Sequence, residues 1–348
     1  MKKFIVASVI IASSFFKTQA QTCNCAADFA ALENAYKNDY AGMQDFAKAH
    51  PNYIEAIALI AKQSKITNDV ARCDELIKQL IDYLNNGHVS YGKTGKNPLY
   101  KKPVFNATTP QYNPSIQFLD NKTVKIQIKT CDLDYKNQLD SLVFLNYEKL
   151  SKTEHLIIDL RGNEGGGDAM FDTLIPYLYT NPILCYSADV WASPNNIKMF
   201  AEFLTNPDLS PGAKATVQKI VTQGNANPNT FVPMSNNKVD SMIFPKTTPY
   251  PKKVSVIIDN KCASATEQFL LLAKQSKKTT IYGYENSGGA LDYANVNTIL
   301  TPSGYWYAGV PTTRSTRLPK NPVDPNGIKP DVLVTKDVKD IVQWVQQR

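Results

Sequence analysis

Residues 254–274 read VSVIIDNKCASATEQFLLLAK, and the fold follows from this stretch. Val254 to Asp259 is a short run rich in β-branched residues, the pattern of a strand covered on both faces. A short turn follows, and the pattern then becomes helical from Ala265 to Lys274. Ser264 stands where that helix begins, next to backbone N–H groups without helical partners and at the positive end of the helix dipole. Such a place favours an alkoxide and the oxyanion it generates. The ordinary alternative is a helix cap, with Ser264 and Glu267 as the two ends of a capping box.

The same grammar recurs upstream. TVKIQIK (residues 123–129) alternates like a strand, Leu139, Leu142, Val143 and Leu150 fit a helix, and HLIIDL (155–160) reads as a second buried strand. Strand, helix and buried strand make a βαβ unit, so the predicted class is α/β with a mostly parallel sheet. The second strand runs into RGNEGGG (161–167). A phosphate loop would carry a lysine and a Ser/Thr after the glycines, where Asp168 and Ala169 stand. A plain turn does not need three glycines. A loop whose N–H groups hold an oxyanion fits best. Further strands are predicted at 279–282 and 293–300, and a helix at 337–347. Short amphipathic helices in Asn/Pro-rich sequence suggest an insertion at about 190–246 that covers a cleft.

Outward from this core, residues 1–20 carry Lys2, Lys3, a short apolar run and Ala20, the pattern of a secretory signal peptide. The run is too short to span a bilayer, and no transmembrane segment is expected later. A periplasmic or extracellular protein beginning near Gln21 follows; a lipoprotein anchored at Cys23 is disfavoured by Thr22 before it. Residues 21–90 form a predicted helical domain, with Val70, Cys73, Leu76, Ile77, Leu80, Ile81 and Leu84 on one stripe and Asn86-Gly87 as the stop. Residues 91–118 read as a connection, and 119–348 as the α/β core.

Composition removes several classes. The net charge of +7 is scattered, with no basic block interleaved with aromatics, so no nucleic-acid partner is expected. Six widely spaced cysteines and three histidines, His50, His88 and His155, offer no metal-ligand pattern. No metal and no organic cofactor is expected. His50 and His155 read as structural, and Cys262 as a turn or core residue. Tyr305, Trp306 and Tyr307 line a pocket or, more ordinarily, pack a sheet.

The segments DLRGNEGGG, CASATE, GYENSGG and GIKPD together resemble the carboxy-terminal processing, or tail-specific, serine peptidase superfamily. They fall in that family's order over residues 123–334. The resemblance implies a ClpP- or crotonase-like core. It also implies Ser264 as nucleophile, with N–H groups of Ala265 and of Gly165 or Gly166 as the oxyanion hole. One branch of the family activates its serine with a downstream lysine, but the corresponding region here reads Asn286 to Ala290 without one. The branch typified by the tricorn protease core and interphotoreceptor retinoid-binding protein places a histidine after a helix, ahead of the core, where this chain has His88. That branch also carries an acid shortly before the closing G-x-x-P-D, the position of Asp324; Glu285 is the alternative acid. Where the branch can have a serine before the histidine, this chain has Gly87, so a relay would need another group, such as Ser90 or a water. Too little sequence lies between His88 and Thr123 for a PDZ domain.

These readings predict a peptidase acting on a peptide or protein substrate through an acyl-enzyme. Two others compete. A non-catalytic ligand- or peptide-binding protein could use the same fold, since fold does not fix function. An esterase would use the same residues on small acyl esters.

Overall fold

The apolar stripes of the N-terminal region form four helices: α1 (Cys25–Asp39), α2 (Met43–Ala49), α3 (Tyr53–Ser64) and α4 (Val70–Leu84). They belong to a computed structural model that describes residues 23–100, 112–207 and 209–348. The signal peptide expected at 1–20 lies outside the described residues, as do positions 101–111 of the expected connection. Asn24 caps α1 by accepting from the Ala27 N–H, and Asp69 caps α4 by accepting from the Arg72 N–H. The left-handed residue that ends α4 is Asn85, at φ 42°, one position before the expected stop. A disulfide between Cys25 and Cys73 ties α1 to α4 across 48 residues. Closing a loop of that length removes about 4 kcal/mol of chain entropy from the unfolded state.

Strands and helices then follow in the order β1 (Ser90–Lys93), β2 (Ser115–Phe118), β3 (Thr123–Gln127), α5 (Lys136–Leu145), α6 (Tyr147–Leu150) and β4 (His155–Asp159). The span read as a connection thus carries a strand near each end. Next come α7 (Ile175–Leu178), β5 (Ile183–Tyr186), β6 (Ala188–Trp191), α8 (Pro194–Phe203), α9 (Pro211–Ala226), β7 (Phe231–Pro233) and β8 (Val239–Met242). The chain closes with β9 (Lys253–Ile258), α10 (Ala265–Ala273), β10 (Thr279–Gly283), β11 (Tyr293–Leu300), β12 (Trp306–Ser315), β13 (Val332–Leu333) and α11 (Ile341–Gln346).

The main sheet has the order β13-β10-β9-β4-β3-β2, parallel throughout except for β2. Its central strands are covered on both faces. Leu156, Ile158, Val254, Val256 and Ile258 face a core shared with Leu139 and Val143 of α5 and Phe269 and Leu270 of α10. Ile157 and Ile257 face the other way, onto Val334, Ile341 and Val345. This two-sided burial is why both strands read as unbroken apolar runs.

The second sheet is antiparallel. β12 pairs with β11 along one edge, and with β1 and then β6 along the other; β7 extends it beyond β6. Trp306, Ala308 and Val310 of β12 complete the core of the N-terminal helices around Phe29, Leu32, Leu76, Ile77 and Leu80. The aromatic run at 305–307 therefore packs a sheet, with Trp306 fully buried. In the insertion, α8 and α9 pack on β6 and β7 through Ile197, Phe200, Ile220, Val190 and Val232. The molecule is thus α/β with a helical N-terminal region. No described helix is long and apolar enough to cross a membrane.

Candidate active site

Adjacent parallel strands β4 and β9 end side by side, so the loops leaving their carboxyl ends are neighbours, the usual place for a site on such a sheet. One loop is Asp159–Gly167, and the other carries Ser264. Ser264 has φ 57° and ψ −122°, a region that a residue with a Cβ enters at a cost of about 1–3 kcal/mol. A residue that only capped the helix would take extended backbone and bond into the first turn. Ser264 departs from that backbone while still pairing with Glu267 as a capping box, and the residue is half-buried.

Glu267 holds that conformation. It is fully buried, and its carboxylate accepts from the N–H groups of Ser264 (3.3 Å), Gly289 (2.8 Å) and Ala290 (2.8 Å) and from the Ser287 hydroxyl (2.5 Å). Four donors replace the water that a buried carboxylate loses. Ser287 in turn accepts from the Ile328 N–H at 2.6 Å. The Ser264 N–H also donates to the Ala290 carbonyl at 3.1 Å. Glu267 is thus the clamp that joins the serine turn to segment 287–290, well beyond the capping-box role its spacing suggested.

Asn163 does the equivalent work in the glycine loop. Its Oδ1 accepts from the Gly165 N–H at 3.0 Å, its Nδ2 donates to the Ile128 carbonyl, and its own carbonyl accepts from the Ala263 N–H and the Thr266 hydroxyl. Gly165 touches the serine turn. A Cβ there would lie 2.7 Å from the Ser264 Cβ and 2.7 Å from the Ala263 carbonyl oxygen, at a φ of +99°. Cys131 bridges the loop from the far side through the Gly165 carbonyl and the Gly167 N–H. Of the expected oxyanion donors, Gly165 has its N–H committed to Asn163. The N–H groups of Gly166 and Ala265 have no acceptor among the described residues.

His88 lies between α4 and β1 and is half-buried. Its Nδ1 is 2.6 Å from the Tyr293 carbonyl. A carbonyl only accepts, so Nδ1 carries the proton and Nε2 of the neutral ring keeps its lone pair. Burial holds its pKa below the ordinary imidazole value, against the opposing pull of the Tyr293 carbonyl and of Glu267. The segment is docked by Gly87, where a Cβ would lie 2.4 Å from the Ala290 Cβ. A side chain at this position would collide with Ala290. Through Ala290, the histidine segment sits against the residue that bonds Ser264. Among the described residues, no hydrogen bond joins the His88 ring to the Ser264 hydroxyl.

Asp324 does not touch the imidazole. One oxygen accepts from the N–H groups of Leu291 and Asp292, at 2.6 and 2.9 Å, and the other from Asn86 Nδ2 at 2.9 Å. Asn86 Oδ1 accepts from the His88 N–H at 3.1 Å. The acid therefore braces both ends of the histidine: the residue before its turn and the segment that presents the Tyr293 carbonyl. Burial, only partly offset by these hydrogen bonds, raises the Asp324 pKa to about 6. Behind it, Asp292 accepts from the Val323 and Asp324 N–H groups and pairs with Arg317 at 2.9 Å, both side chains buried. Glu285 is exposed and shares in none of these bonds. Among the described residues Ser90 makes no hydrogen bond to His88 or Asp324; it pairs with Gly309 of β12, and its carbonyl accepts from the Tyr36 hydroxyl. His155 bonds Ser255 inside the sheet, and Cys262 is fully buried with its thiol pKa pushed up by burial, so neither belongs to the site.

Asn86, Glu267, Asn163 and Tyr293 were not singled out as site residues. Only Glu267 carried a usable signal, its position three residues after Ser264. Among the described residues, no cluster of His, Cys, Asp and Glu could hold a metal ion.

The chain is similar to the structure of mature CPAF, with 13% identity, a TM-score of 0.61, and coverage of 88% of this chain and 92% of that one. It is also similar to a structure from Parabacteroides merdae ATCC 43184 described as a candidate peptidase, with 13% identity, a TM-score of 0.53, and coverage of 92% and 93%. At that identity the likeness speaks for the fold alone. No curated protein matches the sequence. The profile of Peptidase family S41 matches residues 122–334, and with it the resemblance carried by the loops at Gly165 and Ser264 becomes membership: the chain belongs to peptidase family S41, within the carboxy-terminal processing superfamily.

Proposed function

We propose that this protein is an exported serine peptidase that hydrolyses peptide bonds through an acyl-enzyme on Ser264, with His88 as its base. The observation that carries the reading is the left-handed backbone of Ser264, at φ 57°, packed against Gly165 of the glycine loop, with the Ala265 and Gly166 N–H groups free of an acceptor among the described residues. Nε2 of His88 takes the hydroxyl proton as Oγ bonds the substrate carbonyl carbon. The resulting oxyanion accepts from the Gly166 and Ala265 N–H groups. The imidazolium then gives its proton to the leaving nitrogen as the C–N bond breaks. Water, deprotonated by the same Nε2, releases the acyl group and regenerates the serine. Asp324 is the orienting acid in this scheme and acts through Asn86 and the 291–293 backbone. Export to the periplasm or the outside is supported by the basic-then-apolar residues 1–20 and by the Cys25–Cys73 disulfide, a bond of oxidising compartments.

Reduced casein and p-nitrophenyl butyrate, offered to the protein and to Ser264→Ala and His88→Ala, test the proposal. The expected result is release of casein fragments by the wild type and loss of both activities in Ser264→Ala. Ester turnover without fragments would move the assignment to an esterase. A folded protein inert on both substrates would contradict catalysis.

A further inference from the structure

The outer wall of the glycine loop opens into a cavity of about 600 Å³, a size that suits a side chain or a chain end. Gly165 and Gly166 form one wall, and Lys129, Arg161, Lys261 and Glu164 supply the charges around it. The acids nearby are already engaged. Asp159, fully buried, takes both ends of the Arg161 guanidinium, at 2.8 and 2.6 Å. Asp259 accepts from the N–H groups of Gly162 and Lys261. That leaves Glu164, which is exposed, as the one unengaged acid among the lining residues, while neither Lys129 nor Lys261 has an acidic partner among the described residues. Lys129 is half-buried and Lys261 exposed. Two lysines without an acidic partner among the described residues thus line the cavity, beside the loop over which a scissile carbonyl would lie.

We propose that this cavity is a substrate subsite that binds a carboxylate carried near the scissile bond on an acidic side chain. The inference rests on the assignment of Ser264 and the glycine loop as catalytic, and adds a substrate class to it. A carboxylate is the group that two ammonium groups recognise best, through charge-assisted hydrogen bonds. An amide of the same shape would be bound less well. Without Lys2, Lys3 and Lys17 of residues 1–20 the chain's charge stays positive and adds attraction at longer range.

The test maps every bond cut in reduced casein by mass spectrometry, for the wild type and for Lys129→Ala/Lys261→Ala. A fluorophosphonate probe, which carries no carboxylate, reports the reactivity of Ser264 on the same wild-type sample. The expected wild-type result is enrichment of Asp and Glu over Asn and Gln at one fixed distance from the cut bonds, falling roughly tenfold in the double variant. Cleavage confined to bonds near chain ends, and abolished when those ends are amidated, would assign the carboxylate to the terminus and overturn the side-chain subsite. Labelled, cleaving enzyme without any carboxylate enrichment would overturn the subsite and leave the peptidase intact. Labelling without cleavage of casein, which offers glutamates throughout, would count against the subsite in the same way. Absence of both labelling and cleavage would overturn the peptidase assignment, and the subsite with it.

Discussion

The two halves of the candidate site are built differently. On the parallel sheet, Ser264 and the glycine loop leave adjacent strands, and each is held by a side chain close in sequence: Glu267 for the serine turn, Asn163 for the loop. On the antiparallel side, His88 depends on residues more than 200 positions away. Its ring is held by the Tyr293 carbonyl and its turn by Asn86 bonded to Asp324. The first half is a local device repeated on two strands; the second exists only when the whole chain has folded. The nucleophile half should therefore tolerate little change, while the base half should lose function by degrees.

The largest effect is expected from Gly165→Ala. The new methyl would meet the Ser264 Cβ and the Ala263 carbonyl, at a backbone angle that favours glycine. Turnover should fall by roughly 100-fold or more, because a loop pushed off the serine turn carries the Gly166 N–H away from the oxyanion, with a fold retained by circular dichroism. Near-normal turnover would mean that the glycine loop is not part of the machinery.

Glu267→Gln comes next, at the junction of the halves. Glutamine keeps the volume but turns an NH₂ toward N–H donors, leaving a buried mismatch worth about 2 kcal/mol. Denaturant unfolding should show that loss, and an unchanged midpoint would refute the clamp. The smallest effect is expected from Asn86→Ala, which unlinks Asp324 from the histidine turn and should lower kcat/KM about tenfold, mostly through kcat. A pH profile sharpens this test. Burial lowers the His88 pKa, so the ring stays neutral, and competent as a base, below the ordinary value of about 6.5. The acid limb of wild-type kcat/KM should lie under that value, and a looser, wetter histidine in Asn86→Ala should move it upward. An unmoved limb would confine Asn86 to a structural role.

The same contrast explains what could be read from the sequence. The strands at 123–127, 155–159 and 253–258 were legible because their burial writes itself as apolar runs or alternation. Ser264 and the glycine loop were legible because strand, turn and helix are contiguous. The supports of His88 were not, since nothing near Asn86 announces a bond to Asp324 and nothing in Tyr293 announces that its carbonyl is used. Gly87 looked like a missing relay residue; in the fold it packs against Ala290. The terminal helix, expected over 337–347, is the shorter Ile341–Gln346 because Asp340 caps it by accepting from the Gln343 N–H.

The account stands or falls on whether His88 activates Ser264 across the boundary between the halves. Fluorophosphonate labelling rates, with the modified residue located by peptide mapping, measure this directly in the wild type, Ser264→Ala and His88→Ala. The account predicts modification of Ser264 alone, none in Ser264→Ala, and a rate at least 100-fold lower in His88→Ala. Equal rates in the wild type and His88→Ala, with both proteins folded, would contradict it.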